Sequence, residues 1–174
     1  MTFGALPLAV FLSAGVSPTA VQLLDANGEL KRLRRNVAAF EQRTFRTPRD
    51  RLPYFVDCLL TSDPPLACAS AIVEQVVFTP KHLDALLTSH DLVLTCHVGR
   101  TIVAADGAES SALLGALLAD WLDFFFEPSP AGFVLFADHD EYTTLFAGVG
   151  TLRRRVGALR EKGFVEVSNY MRQL

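Results

Sequence analysis

Asp138-His139-Asp140-Glu141 is the densest run of chemically capable side chains in this sequence. Carboxylates suit hard cations and histidine titrates near neutrality, so the run has the residue types for a cation site or a general acid and base. No partner ligand motif stands elsewhere in the chain, and an Asp between two apolar strands ordinarily opens a turn. A solvated hairpin loop is therefore the plain reading. The enzymatic alternative is a small hydrolase centred on His139 with Asp138 and Asp140, assisted by Cys96 or Arg100.

Cys96 and His97 invite a thiol-nucleophile reading, but neighbours in a strand point to opposite faces, so His97 is not the base for Cys96. His139 would have to be carried to that strand by the fold. His97-Val98-Gly99-Arg100 offers an imidazole and a guanidinium to an anion, though a surface turn explains it as well, and His82 and His90 fall at element boundaries as structural or solvent-facing residues. Cys58, Cys68 and Cys96 are odd in number and widely spaced, which gives neither a disulfide framework nor a zinc knuckle. They read as buried free thiols. Gly148-Val149-Gly150-Thr151 resembles half of a phosphate cradle but lacks the Gly-Lys-Ser/Thr ending and the dinucleotide glycine spacing. With Arg153, Arg154 and Arg155 behind it, it keeps an anion reading open at a helix start. No cofactor and no metal site is predicted.

The net charge of −3 conceals a segregation. Residues 31–51 carry eight bases against Glu41 and Asp50; residues 52–148 carry thirteen acids against Lys81 and Arg100; residues 149–174 carry six bases against Glu161 and Glu166. Separated patches of opposite sign steer encounters and set register. The leading functional expectation is accordingly a non-enzymatic protein-binding or self-associating module, a homo-oligomer included. Its basic surface would comprise Arg34, Arg35, Arg43, Arg46, Arg153 and Arg154, and its acidic surface Asp120, Asp123, Asp138 and Asp140. A nucleic-acid-binding protein using segments 31–51 and 153–162 is a further alternative, provided the two converge.

The elements that must position these groups follow from periodicity and punctuation. Ala5 to Leu12 reads as a buried strand, and Val21 to Leu24 with Glu29 to Leu33 as a hairpin around Asn27-Gly28. Residues 34–51 read as an irregular basic segment pinned by Phe40 and Phe45. Tyr54 to Leu60 suits a short helix or strand, and Ile72 to Phe78 a strand. Thr79 as N-cap with Pro80 behind it opens a helix carrying Leu83, Leu86 and Leu87. Leu92 to Val98 and Thr101 to Ala105 read as extended. Asp106 with Glu109 caps a long helix from Gly107 to Phe126, exposing an acidic stripe of Asp120, Asp123 and Glu127. Strands at Phe133 to Ala137 and Tyr142 to Ala147, a helix at Thr151 to Lys162 ended by Gly163, and a terminal strand at Phe164 to Ser168 complete the series.

This order predicts an α+β fold over residues 1–174: a single layered domain with a mixed or antiparallel sheet packed by two principal helices. Half the residues are apolar, with 13 phenylalanines, which excludes disorder. The uncharged opening stretch is interrupted by Pro7 and Pro18 and has no basic flank, so it reads as neither a membrane span nor a secretory signal. A cytoplasmic location without membrane attachment is the expectation.

Overall fold

A computed structural model describes residues 21–25 and 28–173. Among the described residues seven strands are formed: β1 (Val21–Asp25), β2 (Glu41–Arg46), β3 (Cys68–Gln75), β4 (Arg100–Ala104), β5 (Asp123–Ser129), β6 (Phe133–Ala137) and β7 (Tyr142–Ala147). They make one sheet in the order β1-β4-β3-β5-β6-β7-β2, antiparallel at every pairing. The helices are α1 (Glu29–Val37), α2 (Leu52–Leu60), α3 (Lys81–Ser89), α4 (Gly107–Ala119) and α5 (Val149–Glu161). The fold is α+β, as expected. The two longest helices, α4 and α5, are accompanied by three of nine residues each.

Alternation along the central strands sorts the core into two faces. Phe124, Phe126, Leu135, Leu145 and Ala147 meet the helical layer of α2 to α5, whereas Phe125, Val134, Phe136 and Phe146 meet Leu33 and Val37 of α1. Because helices cover both faces, the middle of the sheet is buried on both sides: Phe133 to Ala137 is buried throughout. Each fully buried Phe or Leu there contributes roughly 1.5–3 kcal/mol of transfer free energy.

Several local expectations are corrected. The Asn27-Gly28 hairpin does not form. Gly28 takes φ 83° and leads into α1, where Leu30, Leu33 and Val37 recur at helical spacing over the sheet. Residues 34–51 are not an irregular arm; they hold the end of α1 and all of β2, whose Thr44 and Phe45 are buried. The long helix stops at Ala119 rather than Phe126. Trp121 adopts φ 53°, Trp121 N–H reaches the Leu118 carbonyl and Leu122 N–H the Leu117 carbonyl, and this left-handed cap turns the Phe124-Phe125-Phe126 run into the central strand β5. Leu92 to Val98 is irregular chain, not a strand. The terminal strand reduces to a single bridge between Phe45 and Glu166, supported by Arg46 N–H to Val165 O and Val167 N–H to Thr44 O. The strand expected at Ala5 to Leu12 lies outside the described residues.

Three expectations are matched: Asp106 accepts a hydrogen bond from Glu109 N–H at the start of α4, β6 and β7 span the predicted residues, and Gly163 ends α5 with φ 77°. Among the described residues no helix is long and apolar enough to cross a membrane.

Candidate functional site

The β6–β7 hairpin and the α4–β5 turn meet at one end of the sheet. Asp123 opens β5 with its side chain buried, and its Oδ1 accepts from both the main-chain N–H and Nδ1 of His139, each at 2.8 Å. With Nδ1 committed inward, Nε2 is the free edge of the ring; Asp140 Oδ1 lies 3.9 Å from it. The hydrogen bond to Asp123 raises the His139 pKa above its ordinary value, and the charges of Asp123, Asp140 and Asp138 add to this against an opposing effect of desolvation.

The same turn holds a second histidine in the same manner. Asp120, at the end of α4, accepts at Oδ1 from His82 N–H at 3.1 Å and from His82 Nδ1 at 2.6 Å, and at Oδ2 from Leu83 N–H at 2.8 Å. Thr79 therefore does not cap α3; the Asp120 carboxylate, 38 residues beyond His82, takes two of the orphan amides of its first turn. Between the two aspartates stands Trp121, with the Arg49 guanidinium 5.1 Å from its ring centroid. Arg49 and Arg46 both pair with Glu141, which holds φ 69° in the His139 hairpin. The turn residues Asp120, Trp121 and Asp123 thus each hold a side chain from another part of the chain: His82, Arg49 and His139. Sequence reading had the four residues of the hairpin but not Asp123 or Asp120 as histidine partners. The 139/123 and 82/120 pairs are 16 and 38 residues apart, and only the sheet and the α3–α4 packing join them.

The other predicted residues are placed elsewhere. Asp138 does not flank His139 in the site. It is buried, with Oδ1 accepting from Asp140 N–H and Tyr142 N–H and Oδ2 from the Tyr170 hydroxyl and Arg172 Nη1. Cys96 is exposed, not buried, and its thiol points to the Val98 carbonyl. It belongs to the loop before β4, and β3 and β5 stand between β4 and β6, an offset of roughly 14 Å across three strand spacings. Arg100 opens β4 on that same side. The other two histidines also meet carboxylates: His97 pairs with Asp84 at 2.6 Å and His90 with Glu109 at 3.1 Å. Among the described residues no group of three or more His, Cys, Asp or Glu side chains is placed to hold a metal ion.

The segregated charges are largely spent inside the molecule. Arg34 pairs with Glu74, Arg43 with Glu166, and Arg46 with Glu141, each joining a basic segment to an acid elsewhere. Arg32 reaches Glu127, whose carboxyl pKa is raised by desolvation, with Arg32 pulling it back. On the acidic side Asp120, Asp123 and Asp138 are buried, so the expected acidic surface stripe is corrected; only Asp140 of that set is exposed. Arg35, Arg153 and Arg154 remain exposed. The basic segments do converge at one place: Arg43 of β2 and Arg153 and Arg160 of α5 line a groove of about 310 Å³, together with Glu41. No protein-family model, curated protein or solved structure matches the chain.

Proposed function

We propose that this protein is a small hydrolase in which His139 is the acid–base group and Asp123 its orienting carboxylate. The observation that carries the reading is the double hold of Asp123 Oδ1 on His139, which fixes the ring and leaves Nε2 outward. In the neutral ring the proton sits on Nδ1 and the Nε2 lone pair accepts a proton from water attacking an acyl or phosphoryl centre; the imidazolium then returns that proton to the leaving oxygen. The hydrogen bond to Asp123 raises the pKa of the ring, so the imidazolium that forms during proton transfer is the form the site stabilises. His82, held by Asp120 in the same turn, is a second proton-transfer group. The test is turnover of p-nitrophenyl acetate, p-nitrophenyl phosphate and bis(p-nitrophenyl) phosphate. Wild type is expected to turn over one of them, with a loss of about a hundredfold or more in His139→Ala. Equal rates in wild type and His139→Ala on all three substrates sink the proposal.

A second reading, binding to nucleic acid, rests on the groove lined by Arg43, Arg153 and Arg160, of which Arg43 and Arg160 pair with Glu166 and Arg153 is left to meet a phosphate. Its signature is a salt-dependent affinity for DNA or RNA that weakens in Arg153→Ala, with no effect of His139→Ala. The charge-steered protein-binding module loses support where Arg34, Arg43 and Arg46 are paired internally, and self-association then rests on Arg35, Arg153, Arg154 and Asp140.

A further inference from the structure

A second concave site lies at the opposite end of the sheet, between α2 and α5. Its volume is about 650 Å³, within the roughly 300–1,000 Å³ range of small-ligand pockets. One wall is the end of α2 and the turn after it, with Asp57, Thr61, Ser62 and Asp63; the other is α5, with Thr151 and Arg154; the floor is the β5–β6 hairpin at Ala131. The five residues of β6 separate this hairpin from the His139 hairpin by roughly 17 Å, so the cavity is not the substrate pocket of that site.

The walls are tied together by a half-buried cation. Arg155 Nη1 donates to the Leu59 carbonyl at 2.6 Å and the Thr61 carbonyl at 2.9 Å, and its guanidinium lies 4.6 Å from the centroid of Phe133. This latch ties α5 to the C-terminal end of α2 and commits Nη1 of Arg155 to the protein itself. What remains at the cavity is a set of opposite charges that do not meet. Arg154 on one wall and Asp57 and Asp63 on the other all line the space, yet no ion pair joins any two of them. Elsewhere the chain closes such pairs readily, as in Arg34 with Glu74 and Arg43 with Glu166. Lys162 adds a cation at the far end, eight residues and about 12 Å along the helix from Arg154.

Charges of both signs held apart across an open cavity complement a ligand that carries both signs itself. We propose that the α2–α5 cavity binds a short zwitterionic peptide, its carboxylate on Arg154 and its ammonium on Asp57 or Asp63. Arginine offers a planar fork to a carboxylate, and Ser62 and Thr61 supply hydroxyls for the peptide groups between the ends. A single amino acid underfills a cavity of this size, which favours an oligopeptide.

The test is titration of the ¹⁵N-labelled full chain with tri-, tetra- and pentaalanine, followed by amide shifts of Ser62, Asp63, Gly132 and Thr151. Saturable shifts on both walls are expected, lost when the peptide is N-acetylated and C-amidated. Arg154→Gln and the double variant Asp57→Asn/Asp63→Asn should each weaken binding about tenfold, the equivalent of one charged contact. Arg153→Gln removes the same charge one residue away, outside the cavity, and should leave binding unchanged. Both altered walls are exposed, and a superposable spectrum elsewhere verifies the fold of each variant. Absence of saturable shifts, equal binding of blocked and free peptides, or an equal loss in Arg153→Gln overturns the proposal. None of these outcomes depends on His139.

Discussion

Asp123 Oδ1 and His139 are joined twice, through the main-chain N–H and through Nδ1, both at 2.8 Å. Asp123→Asn keeps an oxygen in place but removes the charge, so the imidazolium loses its main stabilising partner. The His139 titration should fall toward the ordinary histidine value, read from its ring resonances by NMR. Hydrolysis should drop by about a hundredfold or more while the fold persists. An unmoved titration would show that the geometry does not control the ring.

The same pair makes stability depend on pH with a definite sign. A histidine whose pKa is raised in the folded state contributes stabilisation that is fully present below its unfolded value of about 6.5, and this is lost as pH rises through the raised folded value. The stability difference between wild type and His139→Gln should therefore be larger at about pH 5.5 than at about pH 9. Urea unfolding of the two proteins at both values measures it, and a difference independent of pH contradicts the assignment.

Asp138 depends on Tyr170 and Arg172, more than thirty residues away. Arg172→Ala leaves its buried carboxylate with the Tyr170 hydroxyl and two main-chain donors but no cation, and it also strips the guanidinium from the face of Phe136, 4.2 Å away. A loss of about 1.5–3 kcal/mol is expected, the cost of one hydrogen bond to a buried charge. Denaturant unfolding supplies the number, and a change under about 0.5 kcal/mol would place the pair among surface bridges instead.

Two helix ends differ in one residue type and should respond oppositely. Asp91 holds φ 59° after α3 in the hydrogen-bond pattern that Gly163 completes after α5 at φ 77°. Asp91→Gly relieves a left-handed side chain and should stabilise by about 0.5–1 kcal/mol, whereas Gly163→Ala should destabilise by about 1 kcal/mol. Thermal midpoints should move apart by roughly 3–8 °C in total.

How much of this was legible shows in particular stretches. Phe133 to Ala137 and Tyr142 to Ala147 read as strands because each is short, apolar, rich in aromatic or β-branched residues and bounded by turn formers; the helix before Gly163 read from its 3-4-3 spacing and its C-terminal glycine. Residues 21–37 misled because Asn27-Gly28 is a strong hairpin signal, although Leu30, Leu33 and Val37 already carried the helical spacing. Phe124-Phe125-Phe126 misled because a strand buried on both faces has no alternation to show, and its break from α4 is made by Trp121 rather than by a glycine.

The sequence by itself determined the α+β class, two of the central strands, the last helix and the presence of a histidine in a carboxylate-rich turn, because these are set by local periodicity and turn chemistry. Tertiary structure alone decided which carboxylate holds which histidine, which arginines are spent on internal partners, and that the opposite charges of the α2–α5 cavity stay apart. Those are relations between residues far apart in the chain, fixed only when sheet order and helix packing bring them within a few ångströms.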